Sequence, residues 1–215
     1  MKIKWLGHAS FLVTSEEGKR IITDPYCVTS EISYAPINES ADVVTISHDH
    51  EDHNNDRAVK GNPQVIRGAG IRKVKGIEFK GISSYHDAVR GSQRGNNIIF
   101  CFTVDGINVC HLGDLGHLLS DKQIADIGPV DILLLPVGGY FTIDAKQATA
   151  IYQSLKARIV IPMHYKIDKL KINLDGVDKF CKEMGASSKP QDKLVIKKAN
   201  LSEEEEEKIV ILKKK

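Results

Sequence analysis

Short apolar runs broken by polar punctuation set the rhythm of this chain, and the runs are strand-length. KIKWLG and SFLVTS read as two strands joined across the turn-like stretch Ser15–Arg20. RIIT is a strand stopped at Pro25, and Tyr26–Ser40, rich in Ser, Thr and Pro, reads as a loop. ADVVTIS is a buried strand, after which Asp52–Lys60 has the makings of a helix start. QVIR, GIEFKGISSY, NIIFCFTV and INVCHLG follow as strands, and SDKQIADIG as a short helix capped by Ser120. VDILLLPV is a fully buried strand. In DAKQATAIYQSLKAR, Ala148, Ile151, Tyr152 and Leu155 share one helical face, and Asp144 with Gln147 suggests a capping box. IVIPMH is again a strand, LDGVDKFCKEMG a helix closing on Gly185, and KLVIKK and KIVILKK are late strands. Glu203–Glu207 reads as a solvated turn or helix start, and Lys213–Lys215 as a frayed tail. Strands dominate the first half and β-α-β units the second, which makes the fold class α/β.

Composition narrows the setting. A length of 215 residues with 41% hydrophobic content suits one domain spanning 1–215. A formal charge of +2 is too balanced to favour nucleic acid or an anionic membrane surface. No apolar run is long enough to span a bilayer, and MKIKWLGHAS lacks a signal-peptide core, so the expectation is a cytoplasmic protein. Oligomeric state is not readable. The cysteines Cys27, Cys101, Cys110 and Cys181 form no CxxC pair. An Asp105-Gly106 hairpin turn would pair Val104 with Ile107 and, counting outward, Cys101 with Cys110 at a non-hydrogen-bonded rung. Two reduced core thiols are the first reading and a cross-strand disulfide the alternative.

The chemistry gathers where strands end. IIT runs into Asp24, VVTIS into His48 and His50, GISSY into His86, INVCHLG into Asp114 and IVIPM into His164. Side chains held by a rigid sheet yet open at its edge are what a catalytic metal centre needs. In TISHDHEDHNN, residues two apart in extended chain point the same way, so His48 and His50 can grip one ion. The turn that follows lets Asp52 and His53 address a second. His48, His50, Asp52, His53, His86, Asp114 and His164 supply seven candidate ligands for two divalent ions, zinc first, with manganese or iron as alternatives.

SHDHEDH resembles the HxHxDH motif of the metallo-β-lactamase fold superfamily. WLGHASFLV, IITDPY, SYHDAVRGSQRGNNIIF, HLGDLGH, LLLPVGGYFTIDA and IPMHY occur in that superfamily's order, so the likeness covers nearly the whole chain. It is similar to the small branch with ascorbate-6-phosphate lactonase-like and N-acylphosphatidylethanolamine phospholipase-like hydrolases. The resemblance implies a four-layer αβ/βα sandwich with the metals at one edge of two sheets. It assigns His48, His50 and His86 to one metal, Asp52, His53 and His164 to the other, Asp114 to the bridge between them, and Asp24 to a supporting role. His50 and Asp114 stand where flavodiiron-type members carry Glu and many secreted β-lactamases carry Cys, and there is no inserted basic arm of the tRNA-processing kind.

The activity implied is hydrolysis of a small phosphorylated or carboxylated ester, lactone or phosphodiester by a metal-bridged hydroxide, with Asp52 or Asp114 orienting the water. His8, in the GHAS stretch, is a further candidate for catalysis or support. Arg90 and Arg94, in a Gly-rich loop, are candidates for an anionic substrate, and His117 for the mouth of the site. A nuclease, an iron-dependent redox enzyme and a non-catalytic metal-binding protein are the alternatives.

Overall fold

The computed structural model describes residues 1–168, 170–186, 188–201 and 208–214. The Glu203–Glu207 block therefore lies outside the described residues. Thirteen strands are present among those described: β1 (Lys2–Gly7), β2 (Ser10–Thr14), β3 (Arg20–Thr23), β4 (Val43–Ile46), β5 (Gln64–Arg67), β6 (Gly70–Val74), β7 (Ile77–Tyr85), β8 (Asn96–Val104), β9 (Ile107–His111), β10 (Ile132–Pro136), β11 (Ile159–Met163), β12 (Leu194–Val195) and β13 (Lys208–Ile209). Three α-helices join them: α1 (Asp121–Ile127), α2 (Ala145–Leu155) and α3 (Val177–Glu183). They form an α/β sandwich of two mixed sheets, ordered β12-β1-β2-β3-β4-β5 and β13-β11-β10-β9-β8-β7-β6.

The alternation along the strands builds two cores. Ile21 and Val43 face inward to the apolar layer between the sheets, while their neighbours Ile22 and Val44 face the other way. Strand β10 is apolar throughout because both its faces are covered: Ile132, Leu133, Leu134 and Leu135 are all fully buried, each worth roughly 1.5–3 kcal/mol of transfer from water. Outside the second sheet lie the helices. α2 starts on the Asp144–Gln147 capping box and buries Ala148, Ile151, Tyr152 and Leu155; α1 starts on a Ser120–Gln123 box. The outer face of the first sheet is covered differently. There Leu6, Leu12, Ile22, Val44 and Ile46 pack against Tyr26, Ile32, Tyr34 and Ile37 of the irregular segment 26–42, and against Leu170. The Tyr26 hydroxyl ties that cover down by reaching the carbonyls of Leu6 and Ala35.

Three local expectations change. Asp52–Lys60 yields only a 3₁₀ turn at Asp56–Ala58, because its amides go elsewhere: His53 N to His50 O, Asn55 N to Pro25 O, Lys60 N to Glu39 O. Strand β6 was not readable, since its residues are mostly exposed at the sheet edge and bury no alternating face. The tail is not frayed at Lys213, whose amide bonds Gln191 O beside the buried Leu212.

Pairing fixes direction. β1 and β2, and β2 and β3, are antiparallel, while β3 and β4 are parallel, so β1, β3 and β4 run the same way. By the same count β7, β9, β10 and β11 run together in the second sheet. The residues just past β1, β3 and β4 in one sheet, and past β7, β9 and β11 in the other, therefore emerge on shared edges.

Candidate metal centre

Those strand ends deliver His8, Asp24, His48, His86, Asp114 and His164 to one place, and the turn after β4 adds His50, Asp52 and His53. Ligand atoms of His48, His50 and His86 lie within 4.8 Å of one another, as do those of His8, Asp52, His53 and His164. Asp114 sits between the groups. Its Oδ2 is 3.2 Å from His53 Nε2, 3.4 Å from His86 Nε2 and 3.1 Å from His164 Nε2. The backbone is bent to achieve this: His8, Asp24 and His164 all take positive φ (52°, 35° and 52°), which costs an L-residue on the order of 1–2 kcal/mol each. His164 N donates to His8 O, locking two of these bends together.

The residues behind the cluster fix its imidazoles. Asp24 is fully buried and accepts from Ser47 N, Ser47 Oγ and His53 Nδ1 (3.0 Å). Ser47 Oγ in turn is 2.9 Å from His48 Nδ1. One carboxylate thus orients two rings, His53 directly and His48 through Ser47, and leaves both Nε2 atoms facing the cluster. Asn97 is also buried. Its Oδ1 accepts from Asp114 N at 2.9 Å, while its Nδ2 donates to Ser84 Oγ and Leu112 O. Gly113, at φ 56°, lets the chain pass this point, since a Cβ there would overlap Asn97 Oδ1 and Ser47 Cβ. Asp87 accepts four backbone amides, those of Val89, Gly91, Gln93 and Arg94, and so shapes the loop that carries Arg94. Burial works against its charge, yet those four donors hold its carboxyl down to about 2. Ser47, Asn97 and Asp87 were not singled out for these roles from sequence, because each acts on partners that only the fold brings near.

A cavity of about 340 Å³ opens over the cluster, lined by His50, Asp52, His86, Asp114 and His164, with Glu31, Arg94, Phe141 and Ile172 on its walls. Arg94 stands 5.6 Å above the Phe141 ring. Arg67 is paired with Asp49 and Asp56, whereas Arg94 has no carboxylate partner among the described residues.

Three expected positions fall elsewhere. His8 does not line the cavity; it is fully buried and its Nε2 lies 3.1 Å from Asp52 Oδ2, so it backs Asp52 from behind. His117 is engaged by Tyr85 N at one ring nitrogen and by Leu118 O at the other. Arg90 lines neither this cavity nor the adjoining one past His50. His111, read from sequence as within its strand, is buried with Nε2 against Ala9 O.

The charges are strongly coupled. Burial and His164 bring His8 down to about 4, and burial and His53 bring His48 down to about 3. Burial and neighbouring imidazoles also lower His86, and burial lowers His111. Burial would raise Asp114, but His164 and His53 hold it well below the carboxylate range; for Asp52 the same opposition is won by His53 and His8. His53 alone is raised, because Asp114 and Asp52 outweigh its burial. The sign for metal-free protein follows. Unfolded chain takes up protons near 6.5 that the folded His8 and His48 accept only near 4 and 3, so their stabilising effect is lost as pH falls through that window. His53 works oppositely but above this window: its stabilising effect is fully present below 6.5 and is lost as pH rises through its raised value. In a chelator, the thermal midpoint is expected to fall steadily from pH 6.5 to 4; a midpoint that rises on acidification across this range contradicts the assigned charge states.

The donor set fits a metal. Asp114 Oδ1 is buried without a hydrogen-bond partner among the described residues, a burial that costs roughly 1–3 kcal/mol unless a cation satisfies it. Neutral imidazoles with two carboxylates and no thiolate suit a borderline divalent ion. No helix among the described residues is long and apolar enough to cross a membrane.

A family model described as "Beta-lactamase superfamily domain" matches residues 2–164. A protein of Carboxydothermus hydrogenoformans named UPF0173 metal-dependent hydrolase is 33% identical over 194 residues, covering 77% of this chain and 84% of its own. One of the same name from Thermococcus onnurineus is 30% identical over 192 residues, with the same coverage. A crystal structure from Thermotoga maritima, described as a candidate Zn-dependent hydrolase of the metallo-beta-lactamase superfamily, is 42% identical, covers 98% of this chain and 97% of its own, and superposes with a TM-score of 0.80.

Proposed function

The chain belongs to the beta-lactamase superfamily, and from that premise we propose that it is a metal-dependent hydrolase of small anionic esters, lactones or phosphodiesters, working with two divalent ions. The observation that carries this reading is Asp114, whose one oxygen meets imidazole nitrogens borne by three different segments of the fold. His48, His50 and His86 would hold one ion, Asp52, His53 and His164 the other, and Asp114 both. Zinc is favoured by the donor set and by the description of the Thermotoga relative. Such ions, when bound, lower the pKa of water and polarise the attacked oxygen.

The chain's own residues do the rest. Asp52 is ionised at neutral pH and about one-third exposed to the cavity, so its carboxylate can accept a hydrogen bond from the attacking water. His8 Nε2 holds that carboxylate from behind, and its burial keeps this partner neutral. Arg94 presents an uncommitted guanidinium to an anionic group, and Phe141 and Ile172 exclude water around it. A volume of about 340 Å³ is at the small end for ligand cavities and suits a compact substrate over a polynucleotide.

The test is a screen of metal-stripped protein reloaded with zinc, manganese or iron against matched charged and neutral esters, lactones and phosphodiesters. Metal-dependent turnover with preference for the anionic member of each pair is expected. Arg94→Ala should raise KM for that member by about 10–100-fold, the worth of one charge-assisted hydrogen bond. Absence of hydrolysis with every metal sinks the hydrolase reading; equal KM in wild type and Arg94→Ala sinks the substrate class alone.

A further inference from the structure

Away from the metal centre, the β8–β9 hairpin holds two thiols face to face. Cys101 and Cys110 are directly paired in the antiparallel ladder, with Sγ atoms 3.5 Å apart. Val104 pairs with Ile107 at the Asp105–Gly106 turn, so Cys101 and Cys110 fall on a non-hydrogen-bonded rung. On such rungs opposed Cα atoms approach to about 4.5 Å, within the span a disulfide bridges. β7 sets Lys80 beside Cys101 and β10 sets Leu133 beside Cys110, so the four form a row on one face of the sheet. A cavity of about 190 Å³ opens on that row, lined by Lys80, Cys101, Cys110, Ile127, Pro129 and Val130. Cys110 is buried at its floor and Cys101 is partly exposed.

We propose that Cys101 and Cys110 form a reversible dithiol–disulfide site, oxidised by a small hydroperoxide that enters this cavity. Cys101 Sγ, the accessible sulfur, gives up its proton and attacks the peroxide; an S–O bond forms as the O–O bond breaks, and the alcohol leaves with a proton. Cys110 Sγ then attacks the sulfenic sulfur; the S–S bond forms as the S–O bond breaks, and water leaves with the Cys110 proton. Two thiols and one hydroperoxide become one disulfide, one alcohol and one water. The Cys101 thiol and burial push Cys110 well above the usual thiol range, which leaves the exposed Cys101 as the sulfur that meets the peroxide first. The link would tie β8 to β9 near the end of β9, with Asn97 four residues before Cys101 and Asp114 four residues after Cys110, so its effect falls on the stability of the hairpin that positions the proposed bridging carboxylate.

The experiment treats the whole protein with hydrogen peroxide and maps it by non-reducing digestion and mass spectrometry. Expected are a loss of about 2 Da, a Cys101–Cys110 linked peptide, two fewer thiols titrated in denaturant, and a thermal midpoint raised by several degrees that returns on adding dithiothreitol. Cys101→Ser and Cys110→Ser should each abolish the link; because the wild-type measurement stands alone, a variant that fails to fold leaves the test intact. Four thiols still titratable, Cys101 carried to sulfinic acid without a link, links through Cys27 or Cys181, or a lowered midpoint would each overturn the proposal.

Discussion

Asp114→Ala is expected to lose both bound metal and hydrolysis, turnover falling by at least about 10²–10³-fold, as for removal of a single preorganised electrostatic group. The carboxylate is almost wholly buried, and its Oδ2 lies 3.1–3.4 Å from Nε2 of His53, His86 and His164. Without it, Asp52, 3.8 Å from His53 Nε2, is left as the remaining carboxylate facing these imidazoles. Asp114→Asn separates charge from shape, since the amide fills the same space and the backbone bond to Asn97 Oδ1 is untouched. It should fold with near-wild-type circular dichroism yet bind metal poorly. Metal content by elemental analysis, set beside kcat/KM, decides the matter. Full metal and full activity in the alanine variant would show that the centre is assigned to the wrong residues.

Asp24→Ala should have the next largest effect although it does not line the cavity. Loss of one outer hydrogen-bond partner typically costs about 10–100-fold in metal affinity, and Asp24 serves two ligands, His53 directly and His48 through Ser47. The alanine variant is therefore expected to bind metal more weakly than Ser47→Ala, which frees His48 alone. It also leaves Ser47 N and His53 Nδ1 buried without an acceptor, at roughly 1–3 kcal/mol each, so its thermal midpoint should drop even in chelator. Equal metal affinities for the two variants would mean that His53 does not depend on Asp24.

These two residues show what was legible in the chain and what was not. Asp114, His86 and His164 could be read as candidates because each follows an apolar run, and strand ends are visible in the order of residues. Co-direction of the ligand-bearing strands follows from pairings that no single run encodes. Ser47, one residue before His48, was hidden because its partner Asp24, itself readable as a strand end, is 23 residues away and comes beside it only when β3 and β4 pair. Asn97 carries no signal of its own in the chain; its partners Ser84, Leu112 and Asp114 come from β7 and from the end of β9, which only the fold sets around it. His8 was left open between catalysis and support, since the sequence does not say which side of a carboxylate an imidazole approaches; in the fold it lies behind Asp52. α2 was legible in full, cap and face together, because every signal that makes it lies within one helix.

The irregular cover over the first sheet has a consequence for how specificity can change. It is pinned by Tyr26 through main-chain carbonyls and tied to the later chain by Lys171 N on Glu31 O. Its tip brings Glu31 to the wall of the cavity that His50, Asp52, His86, Asp114 and His164 also line. Main-chain anchors tolerate exchange of the side chains between them. The cover is thus a replaceable cassette: residues near Glu31 can be rewritten to admit a different leaving group while Asp24, Ser47 and the imidazoles they hold stay as they are. A library confined to the exposed positions 28–31 should redistribute substrate preference at constant metal affinity.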